Sequence, residues 1–66
     1  MTLFDIIARV KAIKRLQSDD EAAHAEEDKL HQEVLAFIAS GGCDNPWAYA
    51  AEALKTTKIK FARWCA

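Results

Sequence analysis

The sequence predicts an all-α fold, a compact bundle of three to four short helices with a long central acidic helix, in one domain over residues 1–66. Three observations predict it. Apolar residues recur at intervals of three and four in residues 3–17 and again in residues 30–38, the repeat of a one-faced helix. Helix start and stop signals stand at Thr2, at Ser18, at Ser40-Gly41-Gly42 and at Asn45-Pro46. One run alternates like a strand, Thr57, Ile59 and Phe61 among lysines, but no second strand exists to pair with it.

The first helix is expected over residues 3–17. Thr2 and Asp5 have capping-box spacing, which supplies partners for orphan N–H groups at a helix start. Leu3, Ile6, Ile7, Val10 and Ile13 line one stripe. Arg9, Lys11, Lys14 and Arg15 gather toward the end, where cations oppose the negative pole of the helix dipole. No aromatic or glycine is interleaved among them, as a base-stacking surface would require.

The central helix is expected over residues 18–40, opened by a second capping box at Ser18 and Glu21. Its first half is acidic nearly all round and carries the candidate contact residues Asp19, Asp20, Glu21, Glu26, Glu27, Asp28 and Glu33. Lys29 is the one base among them, so this segment is six charges negative while the rest of the chain is five positive. The formal net charge of −1 hides that division. The second half turns apolar, with Leu30, Val34, Phe37 and Ile38 as the buried stripe.

The third helix starts at Asn45-Pro46, where proline's missing N–H costs nothing. Trp47, Ala50, Ala51 and Leu54 are expected to face inward, and Lys55-Thr56-Thr57 to close the element. A short fourth helix capped by Thr56 or Thr57 is expected for the remainder. Trp47 and Trp64 are candidate interface anchors.

Composition restricts the function classes. A chain of 66 residues buries only about 60% of its unfolded surface and has little room for a catalytic pocket. Cys43 precedes a helix start, but no base and orienting group are placed to make it a nucleophile. His24, Asp28 and His31 share a helix face at a spacing that can hold zinc, yet one face rarely supplies a full site, and neither metal nor cofactor is expected. Gly41-Gly42 lacks the phosphate-loop pattern and reads as a helix stop. No apolar run approaches the roughly 18 residues of a membrane span. Residues 1–5 lack the basic start of a signal peptide. Cys43 and Cys65 are expected as free thiols in a reducing cytosol.

The density of carboxylates is the remaining feature. Like charges at i,i+3 and i,i+4 repel and cost stability. A rigid helix bearing them can occupy a groove built for nucleic-acid phosphates, because Lys and Arg there respond to charge and spacing. The segments SDDEAAHAEEDKLHQE and DNPWAYAAEALKTTKIKFARWCA, in so small and helical a chain, resemble phage-encoded inhibitors. The nearest group is the anti-CRISPR proteins that act on type I surveillance complexes. The resemblance implies a non-enzymatic DNA mimic in the cytoplasm of a bacterial host, a monomer or weak homodimer. Its partner would be the DNA-binding subunit of a Cascade-type defence complex, with no direct nucleic-acid or membrane contact. The alternatives are a small nucleic-acid-binding regulator using the bases of the first helix and the C-terminus, or a self-associating assembly module.

Overall fold

A computed structural model describes residues 1–63. Among them the regular structure is entirely helical: α1 (Leu3–Arg15), α2 (Asp20–Ala39), α3 (Pro46–Ala53) and a 3-10 turn (Leu54–Lys58). The expectations for Trp64 and Cys65 lie outside the described residues.

α1 begins where its capping box places it. Thr2 Oγ1 accepts from the Asp5 N–H at 3.2 Å, and Asp5 Oδ2 accepts from the Thr2 N–H at 2.7 Å. Ile6 and Ile13 are fully buried, and Val10 packs against them. The helix ends two residues before the expected position, and a turn over residues 16–18 leads into α2.

α2 corrects the expected Ser18 cap. Asp19 is the N-cap, and its Oδ1 accepts from the Ala22 N–H at 3.1 Å. Asp caps as well as Ser does, and the preceding turn, closed by the Asp19 N–H on Leu16 O at 2.8 Å, selects the later residue. Asp19→Ala is expected to cost about 1 kcal/mol, read as a fall of roughly 4 to 8 °C in melting temperature. Ser18→Ala is expected to change nothing measurable. A φ of +79° at Gly41 then reverses the chain after α2, a conformation that glycine adopts without penalty.

Asn45 caps α3 as its sequence indicates, through its Oδ1 and the Ala48 N–H. Its inward face is not the expected one. Trp47 is 72% exposed and Leu54 59% exposed, whereas Ala53 and Thr56 are buried. The reason lies downstream. The chain tightens into 3-10 geometry at Leu54, which rotates the buried side toward Thr56.

Among the described residues no fourth helix capped by threonine forms. The Thr56 and Thr57 hydroxyls instead donate back to the carbonyls of Ala53 (3.1 Å) and Leu54 (2.7 Å). Such back-bonding competes with helix propagation. The chain then leaves in extended conformation at Ile59, φ −78° and ψ 129°.

The core comprises Ile6, Ile13, Ala23, Leu30, Val34, Ala53 and Ile59, with Leu16, Ile38, Tyr49 and Phe61 packed against it. The C-terminal third runs antiparallel along α2. Tyr49 stacks at 5.5 Å from Phe37, Thr56 meets His31, Arg63 meets Glu27 and Ala62 meets Asp20. Ile59 and Phe61 thereby cover the N-terminal half of a helix whose own apolar stripe is confined to its second half.

Candidate functional site

Asp19 caps α2, and the folded chain divides the other six candidate carboxylates among three directions. At about 100° per residue, Glu26 and Glu33 lie toward α1, Asp20 and Glu27 lie under the C-terminal segment, and Glu21 and Asp28 point away from both. They do not form one face.

Toward α1, Glu33 Oε2 accepts from Arg9 Nη2 at 2.9 Å. That hydrogen bond, with the charges of Arg9 and Lys29, holds the Glu33 carboxyl below its usual range. The half-buried Glu26 adds its charge to the same arginine.

Under the C-terminal segment, Glu27 is a core residue, only 4% exposed. Arg63 grips it with two bonds, Nε to Oε1 at 2.6 Å and Nη2 to Oε2 at 3.1 Å. The same guanidinium donates to the carbonyls of Thr56 (2.9 Å), Ile59 (3.0 Å) and Phe61 (3.3 Å). It also lies 3.8 Å over the Phe61 ring. Burial pushes the Glu27 carboxyl up, but the hydrogen bonds and charge of Arg63 outweigh it, so its pKa lies below the usual range. Nearby, Asp20 accepts from the Ala62 N–H at 3.0 Å. Glu27 is therefore a structural anchor, with both carboxylate oxygens taken up by Arg63.

Both lowered carboxyl groups bear on pH dependence. The unfolded chain binds protons at Glu27 and Glu33 before the folded chain does, so stability rises with pH through that window. Stability from these pairs is expected to be complete above the ordinary glutamate value of about 4.3 and to be lost as pH falls through the lower folded values. Urea midpoints at neutral pH and at successively lower pH check it. Equal midpoints throughout would contradict it.

Outward, Asp28 keeps 59% of its side chain exposed and lies 3.3 Å from His24 Nε2. Glu21 and Asp19 are exposed. His31 turns away from this pair. Its Nε2 lies 2.9 Å from Thr56 Oγ1 and 3.2 Å from Ala53 O. The Ala53 carbonyl can only accept, so its contact with His31 Nε2 requires the proton on that nitrogen. His24, Asp28 and His31 thus do not converge, and among the described residues no group of three potential ligands is arranged to hold a metal. Cys43 is half-buried in the loop of residues 40–45.

The basic residues divide similarly. Arg9 and Arg63 are tied into ion pairs, and Lys55 pairs with Glu52. Lys11, Lys14 and Arg15 remain on exposed positions of α1.

One surface was missed by sequence reasoning. Leu35, 65% exposed, and Leu54 border an apolar groove of about 210 Å³ between α2 and α3, lined also by His31, Val34, Ile38, Ala50 and Ala53. Its signal was present: Leu35 falls outside the stripe of Leu30, Val34 and Ile38. Comparison with protein-family models, curated proteins and solved structures found no match to this chain.

Proposed function

We propose that this chain is a non-enzymatic inhibitor that binds a basic, DNA-recognising surface of a bacterial type I CRISPR surveillance complex and blocks target DNA. The contact set is narrower than the sequence implies: Asp19, Asp20, Glu21 and Asp28, at the N-terminal half of α2. The supporting observation is that all four are exposed and that among the described residues none is paired with Lys or Arg, although Asp20 also accepts from the Ala62 N–H at the edge of the C-terminal segment. Glu27 and Glu33, already paired with arginines, and Glu26, half-buried beside Arg9, are left out. The positive pole of the helix dipole lies beneath the first three and offsets part of their mutual repulsion.

The test is target-DNA binding by a purified type I surveillance complex with this protein added. Wild type is expected to suppress binding at low salt and to lose that effect as salt rises, since contacts made by exposed charges are screened. The Glu21→Lys, Asp28→Lys double variant is expected to lose suppression while keeping its helical circular dichroism. Equal suppression by the double variant, or none by wild type, would sink the reading for that complex.

A further inference from the structure

The face of α2 that bears Glu21 and Asp28 continues into Leu35. The three are spaced by seven residues, which on an α-helix is one line with steps of about 10.5 Å. Leu35 borders the apolar groove with Leu54 across from it on the chain that follows α3. This surface therefore has an apolar pocket at one end and two exposed carboxylates along one side. An occupant that fits it is a helix with one large apolar side chain followed, on the same face, by bases at matching steps.

The outer face of α1 has that pattern. Phe4 is 82% exposed, although it belongs to the best-packed helix type for burial, an amphipathic one. Ala8, Lys11 and Arg15 are exposed and follow it on the same side at four, seven and eleven residues. Phe4 and Lys11 are thus about 10.5 Å apart along the axis, the same as Leu35 and Asp28, and Arg15 lies about 6 Å further. Laid antiparallel to α2, this face puts Phe4 over the groove, Lys11 over Asp28 and Arg15 between Asp28 and Glu21. Ala8, between the anchors, allows close approach of the two helices. The groove volume of about 210 Å³ exceeds that of cavities that accept a benzene ring, so a phenyl group fits.

We infer that the occupant is a second copy of this chain, its α1 outer face seated on the α2/α3 groove. Both complementary faces lie on one molecule and are different patches. The contact is therefore head-to-tail, and repeats from copy to copy unless its rotation closes a ring. This inference goes beyond the proposed inhibition and does not depend on it. The two share Glu21 and Asp28, so a copy seated there excludes a basic partner, and self-association is a competing state.

Sedimentation velocity across a concentration series tests it. The wild-type average mass is expected to rise with concentration, beyond that of a dimer, and to fall back with added salt. Phe4→Glu and Leu35→Glu alter exposed positions, so both are expected to keep the wild-type circular dichroism while each sediments as a monomer. The deciding step is to mix them. Phe4→Glu retains an intact groove and Leu35→Glu retains an intact Phe4, so an equimolar mixture is expected to form one-to-one dimers and nothing larger. Wild type that remains monomeric at millimolar concentration would overturn the inference, and so would a mixture that remains monomeric. Phe4→Glu leaves every carboxylate in place, so it separates this result from the DNA-binding assay: inhibition that survives in that variant belongs to the acidic face alone.

Discussion

Arg63→Ala is expected to lower the midpoint of thermal unfolding by roughly 10 to 20 °C, the equivalent of about 3 kcal/mol in a domain this small. The loss has two sources. The Glu27 carboxylate, 4% exposed, would be left in the core with no cation, and a buried charge without a partner is strongly unfavourable. The carbonyls of Thr56, Ile59 and Phe61 would lose the donor they share. Those bonds fold the C-terminal segment around Arg63, and the pair with Glu27 ties it to α2, which keeps Ile59 in the core. The edge of Arg63 is wet, with 34% of its side chain exposed, which places the cost toward the lower end for a broken buried pair. Scanning calorimetry checks the shift. A second variant isolates the charge: with Glu27→Gln added to Arg63→Ala, part of the loss is expected to return, because an amide can be buried at less cost than a carboxylate. If the double variant melts no higher than Arg63→Ala alone, the unpaired charge is not the cause. Total stability for a 66-residue domain is on the order of 3 to 10 kcal/mol, so this one contact accounts for roughly a third of it or more.

How far the sequence made this visible differs from element to element. The Thr2–Asp5 box and the Asn45-Pro46 start were legible because they are local: the partners are three residues apart and no distant contact competes. The α1 stripe and the Leu30–Val34 stripe were legible for the same reason, a helix face being written in its own periodicity. The inward face of α3 was not. Trp47, Ala50, Ala51 and Leu54 have helical spacing, but so does any stripe that faces a groove left open, and periodicity does not tell a core from a docking surface. Within the candidate site, burial and pairing were not legible where a partner distant in sequence decides. Nothing local marks Glu27 among its acidic neighbours as the one that is buried, since its cation stands 36 residues away. Glu33 likewise depends on Arg9, 24 residues away. The excess of negative charge that set this helix apart is in part a set of anchoring points for the positive remainder of the chain. That also accounts for the opposite charges of the two segments better than a uniformly acidic surface does.

Two leucines on α2 separate stability from binding, and the second large effect is expected at the inner one. Leu30 is fully buried at the middle of the helix, among the core residues contributed by α1, α3 and Ile59. Leu30→Ala is expected to cost about 3 kcal/mol, the sum of lost transfer free energy and the cavity left behind. In so small a core little can collapse into that space, because the neighbouring side chains are anchored on three different elements. Leu35, five residues on, is 65% exposed, and Leu35→Ala is expected to change stability by less than about 0.5 kcal/mol. Urea titrations of both variants check the contrast: a shifted midpoint with unchanged slope for Leu30→Ala, and coincident curves for wild type and Leu35→Ala. If Leu35→Ala proved as damaging as Leu30→Ala, the groove would be part of the core and not a surface open to a partner. If it leaves stability untouched, the exposed Leu35 at the rim of the groove has no role in holding the monomer together. An exposed apolar side chain that does not serve the fold is what the proposed docking of a second copy requires, which is why the contrast between these two leucines bears on that proposal as much as on folding.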